Sequence, residues 1–323
     1  MPSPFDQIKN YLDPELRQYE SHFKDAMKSK VPLLDKITHY IIKSKGTQMR
    51  PMFVFLSASF GNTNPDTYTA ASMVEQPAHS YAGSDDVVDE SYQRRGFSIN
   101  ALWKNKVAVL VGDYLFSAKG MHIALDTGQY KMLHIVSKAV KAMAEGELLQ
   151  LEKARRLDIK EEIYFDIIRK KTASLIAASC SLGASSTSSD EDTIEFMRQI
   201  GENIGMSFQI KDDLFDYGDE NVGKPLGIDI KEKKMTLPLI YALNNASFWD
   251  RRRIIYIIKN QSKDENKVRE VIDFVKASEG IPFTIEKMNE YKNKALAMIQ
   301  TLPQNEANTY LQELVEYVIA REK

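Results

Sequence analysis

The chain has 323 residues, with 43 Lys and Arg against 45 Asp and Glu, and its net charge of −2 provides no global field for nucleic acid. An apolar fraction of 43%, enough for a sizeable core, with 10% aromatic content and only 15 Gly and 11 Pro, argues against disorder or a sandwich. The single cysteine, Cys180, excludes an intrachain disulfide, fits a reducing compartment and, among apolar neighbours, reads as a core residue.

The first residues, Met1 to Gln7, lack a basic region followed by an apolar stretch, so no secretory signal is expected and the protein is placed in the cytoplasm. Helical periodicity predicts helices near 6–28, 32–44, 51–60, 66–91, 107–125, 130–155, 161–184 and 191–217, with several more between 236 and 321. Gly61-Asn62-Thr63-Asn64-Pro65 marks a turn. Gly183 to Ser189 reads as a small polar loop before the helix-start signal Ser189-Asp190-Glu191-Asp192. The most apolar run, Val107 to Phe116, is interrupted by Gly112 and Asp113 and falls far short of the roughly 20 residues that span a bilayer. No useful strand alternation or solenoid repeat is present, so the expected fold is all-α, one domain over 1–323.

Two aspartate clusters repeat one pattern: Asp85-Asp86-Val87-Val88-Asp89 and Asp212-Asp213-Leu214-Phe215-Asp216. Residues four apart share a helix face, which pairs Asp85 with Asp89 and Asp212 with Asp216. Ile200, Ile204 and Phe208 step by four into Asp212 and Asp216, and Met73, Pro77 and Tyr81 do the same into Asp85 and Asp89, so both pairs are expected to point inward. One such cluster is more often a solvated face, but two inward copies call for cations, because unpaired carboxylates on a core-facing stripe are costly. Magnesium takes a few carboxylates plus water and substrate phosphate oxygens, so the pattern suggests a diphosphate held through metal.

Arg94-Arg95-Gly96 follows the first cluster and supplies guanidinium forks suited to phosphate, although an Arg pair at a helix end often serves only the helix dipole. A Gly- and Lys-rich loop from Gly218 to Lys234 follows the second, with Lys224 and Lys234 able to close over a diphosphate or to remain a solvated lysine run. His22, His39, His79, His122 and His134 have no zinc-site spacing, and no Walker or dinucleotide motif occurs.

In this order the chain resembles the trans-polyprenyl diphosphate synthases, or trans-prenyltransferases, along nearly its whole length. The resemblance rests on Gly46 with Arg50-Pro51, the first aspartate cluster with Arg94-Arg95-Gly96, Gly112-Asp113, Gly146-Glu147, Lys171-Thr172, Phe208-Gln209 before the second cluster, Gly223-Lys224, and Lys234 ahead of Thr236-Leu237-Pro238. It implies an isoprenoid synthase helical bundle around a deep central cavity, usually a homodimer. It also implies that Asp85, Asp86, Asp89, Asp212 and Asp216 bind about three Mg²⁺ ions gripping an allylic diphosphate. Arg94, Lys171, Gln209, Lys224 and Lys234 would hold the same diphosphate, with Lys171 also counted as catalytic. Arg50 and Arg95, with Thr47 and His79 nearby, would receive isopentenyl diphosphate. The allylic diphosphate would ionise, the double bond of isopentenyl diphosphate would attack, and a proton would then leave.

The chain departs from the family at Thr47, where a basic residue is usual, and at Ala78, where His or Gln is usual; Ser84 also replaces a common His. Ser80 and Tyr81, just before the first cluster, are the expected chain-length residues, with bulky Tyr81 favouring a short to medium product unless it only packs in the core. Two other readings remain at this point: an elongation-impaired homologue acting as a binding or regulatory subunit, and a class I terpene cyclase, which Arg50, Arg95 and the doubled cluster argue against.

Overall fold

The computed structural model describes residues 3–35, 48–75, 114, 125–157, 160–218 and 226–320. Among them every regular element is helical, as the sequence predicts, and no helix is long and apolar enough to cross a membrane. The chain divides into two compact units, one of 1–140, 175–201 and 302–314, the other of 141–174, 202–301 and 315–323.

The first unit opens with α1 (Pro4–Tyr11), whose Ser3 hydroxyl accepts from the Asp6 amide while the Asp6 carboxylate accepts from the Ser3 amide. Pro14 lies in the first turn of α2 (Asp13–Met27). A proline has no amide hydrogen to continue the ladder from α1, so the single helix expected over 6–28 becomes two. In α3 (Met49–Ala58) all eight residues from Pro51 to Ala58 are buried, which explains its apolar run. Against it packs α7 (Ser174–Thr187), where a Cβ on Gly183 would sit 2.2 Å from the Val54 carbonyl oxygen. The polar loop expected from Gly183 is therefore helix through Thr187. Its small residues fit a close crossing, and the Ser186 hydroxyl donates back to the Gly183 carbonyl. Cys180 is fully buried there, and burial pushes its thiol up to about 12. The helical run 65–75, α4, presents Glu75 to Arg50 of α3 at 2.9 Å.

The second unit contains residues 141–156 of α5 (Tyr130–Arg156), α6 (Glu161–Ile168), a π-helical turn (Arg169–Ala173) and residues 202–214 of α8 (Glu191–Leu214). A 3₁₀ turn (Phe215–Tyr217) follows α8. Next come α9 (Ile228–Lys231), α10 (Leu237–Asn244), α11 (Phe248–Asn260), α12 (Glu265–Lys276) and α13 (Gly280–Gln300); of α14 (Glu306–Ala320), which ends the described chain, only residues 315–320 belong to this unit. Helix α9 lies inside the stretch expected to be loop. The pairs α10 with α13 and α11 with α12 form the core, burying Leu237, Leu239 and Ile240 of α10 and Val268, Val271 and Val275 of α12.

Candidate active site

The second unit gathers five of the predicted site residues, Lys171, Gln209, Asp212, Asp216 and Lys234. Two glycines allow the close approaches that build the site. A Cβ on Gly146 of α5 would fall 2.7 Å from the Lys171 amide nitrogen, and one on Gly205 of α8 would fall 2.5 Å from the Ala173 Cα. Both glycines face the π turn, whose extra residue per turn re-aims the side chains of 169–173, a distortion common at functional sites.

On the α5 side, the Lys171 ammonium is ion-paired with the buried Glu147 carboxylate and lies 3.4 Å from Gln150 Oε1. On the α8 side, the Thr172 hydroxyl donates to Gln209 Oε1 at 2.7 Å, and Gln209 Nε2 donates to Asp213 Oδ1 at 3.2 Å. The other Asp213 oxygen accepts from the Tyr164 hydroxyl at 2.8 Å and from the Leu237 amide at 3.2 Å. The Leu237 bond caps the start of α10, so one carboxylate ties α6, α8 and α10 together. Burial pushes Asp213 up to about 7, with Asp212 adding to the rise and the three donors opposing it.

The register of the second aspartate cluster differs from the expected one. Asp213 and Asp216 are 6% and 7% exposed, whereas Asp212 and Phe208 are only partly buried. A step of four residues advances about 40° beyond a full helical turn, so three steps from Ile200 carry Asp212 about 120° off the apolar stripe. The inward series is instead Ile200, Ile204, Ser207, Ile210 and Asp213. Asp216 sits on the 3₁₀ turn, where the four-residue stacking with Asp212 no longer holds.

The Asp216 carboxylate accepts from the Asp229 amide at 2.7 Å at the start of α9. Beside it Asp229 is half-buried, and its carboxyl is pushed up to about 8, by desolvation first and then by Asp216 and Asp213, with Lys234 opposing. Asp216 is likewise raised by burial. The Lys234 ammonium lies 2.5 Å from Glu232 Oε2. Asp213 and Asp216 thus repel the Asp229 carboxyl, both Asp213 oxygens are taken by protein donors, and the partly open Asp212 is a hard oxygen donor of the kind a divalent cation takes. Among the described residues, no group of three or more His, Cys, Asp or Glu is arranged to enclose a metal by itself.

Arg50 belongs to the first unit, where it pairs with Glu75. Thr47, His79, Ser80, Tyr81, Asp85, Asp86, Asp89, Arg94, Arg95 and Lys224 lie outside the described residues, as do Ala78 and Pro77. Sequence reasoning assigned no role to Tyr164, Asp213 or Asp229, and none to Glu147 beyond its place in a motif. A local signal existed for Asp229, a lone carboxylate between Ile228 and Ile230. Tyr164 gave none, since its partner lies 49 residues away.

A polyprenyl synthetase family model matches residues 31–275. Heptaprenyl diphosphate synthase component 2 of Geobacillus stearothermophilus is 31% identical over 317 residues, 97% of this chain and 98% of the relative. The structure of a decaprenyl diphosphate synthase from Rhodobacter capsulatus is similar with a TM-score of 0.93 at 31% identity, covering 99% of each chain. A polyprenyl synthase from Caulobacter crescentus, complexed with calcium and isoprenyl diphosphate, gives a TM-score of 0.90 at 30% identity, covering 99% of this chain and 98% of that one. The all-helical fold, the motifs in order and these likenesses agree: the chain belongs to the polyprenyl synthetase family of prenyltransferases.

Proposed function

We propose that this chain joins isopentenyl diphosphate to an allylic diphosphate, giving a linear trans-polyprenyl diphosphate. The observation that carries this reading is the chain of contacts that holds Lys171 on Glu147 and Gln209 between Thr172 and Asp213, one helical turn from Asp212. Pre-positioned donors of this kind stabilise charge that moves onto a departing diphosphate without reorganising during the reaction.

Asp212 and Asp216, with Asp85, Asp86 and Asp89, are the residues assigned to hold Mg²⁺, about three ions per site. Magnesium supplies Lewis acidity and a template for the diphosphate oxygens. Lys171, Gln209 and Lys234, with Arg94 and Lys224, bind the allylic diphosphate. Arg50 and Arg95, beside Thr47 and His79, take that of isopentenyl diphosphate. As the allylic carbon–oxygen bond breaks, its electron pair leaves with the diphosphate. The double bond of isopentenyl diphosphate then forms the new carbon–carbon bond, and the proton lost from the adjacent carbon passes to the released diphosphate. Ser80 and Tyr81 are assigned to product length, with a short to medium chain favoured by Tyr81.

The assembly we propose is a cytoplasmic homodimer. A second assembly, with a partner subunit, is favoured by the full-length likeness to a relative named as one component of a synthase. One experiment separates these readings: the pure protein is incubated with Mg²⁺, isopentenyl diphosphate and allylic primers of increasing length, and products are identified by mass. Linear products from the isolated chain establish elongation without a partner. Absence of product with every primer, together with products on adding a partner subunit, favours the heteromer, and cyclic hydrocarbon from the allylic substrate alone overturns elongation. Asp85→Ala or Asp212→Ala should lower turnover by orders of magnitude while the protein stays folded.

A further inference from the structure

The outward face of α11 has an unusual composition for a solvated helix. At about 100° per residue, Phe248, Trp249, Arg252, Tyr256 and Lys259 fall within about 100° of one another on the helix circumference. The buried residues Ile254, Ile257 and Ile258 occupy the opposite side. The three aromatics are 68%, 74% and 58% exposed, and the Phe248 and Trp249 rings meet edge to face at 5.3 Å. No carboxylate shares this face. Asp250 turns away from it and pairs with Arg253, while Arg252 and Lys259 make no ion pair among the described residues.

We propose that this face docks the protein on an anionic lipid surface. Tryptophan and tyrosine favour the boundary between headgroups and acyl chains, and neighbouring basic side chains add attraction to anionic headgroups. The helix would lie in the interface plane rather than cross it, since it alternates buried isoleucine with this outer stripe. A second copy of the chain is a poor occupant. Isologous pairing of the face would bring Arg252 and Lys259 against their own copies with no carboxylate to offset them. Docking itself does not depend on the reaction proposed above. Its use does, because a growing prenyl chain becomes increasingly insoluble in water.

Flotation of the full-length protein with vesicles tests the proposal. Vesicles of phosphatidylcholine alone are compared with vesicles in which part of the lipid is phosphatidylglycerol, at low and high salt. The wild type should float with the anionic vesicles and be released by salt. Arg252→Glu with Lys259→Glu, and separately Phe248→Ser with Trp249→Ser, should each reduce binding at least about tenfold. Brominated lipid should quench the fluorescence of wild type more than that of Trp249→Ser, which retains only Trp103. Turnover with a short, water-soluble primer should be unchanged in all variants and serves as the folding control; its absence in wild type would count against the reaction and not against docking. The proposal is overturned if wild type binds neither vesicle, or if the variants bind as well as wild type. It is also overturned if the aromatic variant dissociates a dimer in sedimentation without losing vesicle binding, or if the face retains single-stranded RNA and not lipid.

Discussion

Gln209 is held at both ends of its amide, by the Thr172 hydroxyl at Oε1 and by Asp213 Oδ1 at Nε2, so the orientation of the amide is fixed by the protein alone. The middle of the second aspartate cluster therefore acts on a glutamine as well as on the fold. The order of these contacts allows the two roles to be separated.

Asp213→Asn should raise the KM for the allylic diphosphate by about tenfold to a hundredfold, the worth of a charge-assisted hydrogen bond. The Leu237 amide can only donate, so the asparagine must turn its oxygen toward Leu237 and Tyr164 and its NH₂ toward Gln209. Two donors then meet, and the Gln209 amide flips. Gln209→Ala should cost a similar factor, and the double variant no more than Gln209→Ala alone. Additive losses in that double-mutant cycle would mean that Asp213 touches substrate or metal directly.

Lys171→Ala leaves the Glu147 carboxylate buried without its ammonium. Removing one partner of a buried pair costs about 3–5 kcal/mol, and the 21% exposure of the Lys171 side chain reduces this to about 1–3. Adding Glu147→Gln should recover most of the lost melting temperature and none of the lost turnover. If turnover recovers as well, the lysine is structural and its place on the allylic diphosphate is wrong.

The glycine contacts give a sharper test of the π turn. Gly205→Ala places a methyl group against the Ala173 backbone, which cannot retreat as a flexible side chain would. Overpacking of this kind costs about 1–3 kcal/mol and should separate Thr172 from Gln209. We expect a KM effect on the allylic substrate like that of Gln209→Ala; a stability loss with normal kinetics would place the hydrogen bond outside catalysis.

Much of this was legible in the sequence, and what was not has identifiable causes. The helical class, the helices near 130–155, 161–184 and 191–217, and the Lys171-Thr172 and Phe208-Gln209 pairs they carry are local patterns, and among the described residues they fall close to where periodicity put them. The facing of Asp212 was misjudged because steps of four were extended past two turns, where the drift of a 3.6-residue helix decides the outcome. The π turn adds a residue without breaking the apolar pattern of 161–184, so no composition signal reveals it. Glu147 and Tyr164 gain their roles from residues 24 and 49 positions away, distances over which a single sequence carries no pairing information.

Burial raises the Asp213 and Asp229 carboxyls to about 7 and about 8, so each binds its proton more tightly in the folded protein than in the unfolded chain. Between the unfolded value of about 4 and those folded values the native state holds more protons, and stability falls as pH rises. Chemical denaturation of the metal-free protein in a chelator should thus give a lower midpoint at pH 8.5 than at pH 5. Asp229→Asn should flatten the upper part of that decline, and Mg²⁺ should restore stability most at high pH. A midpoint that rises from pH 5 to 8.5 would contradict the burial of these carboxyls.

Arg50 offers the last prediction, because its Nε is already engaged by Glu75 at 2.9 Å, and Glu75 is buried. A guanidinium held at Nε keeps its two terminal nitrogens for a bidentate phosphate contact, so the pair orients Arg50 rather than consuming it. Glu75→Gln should raise the KM for isopentenyl diphosphate severalfold and leave the allylic KM alone. Thr47→Lys, which supplies the cation usual at that position, should lower the same KM, more so with Ala78→His. A KM that moves for the allylic substrate instead, or for neither, would place isopentenyl diphosphate away from Arg50.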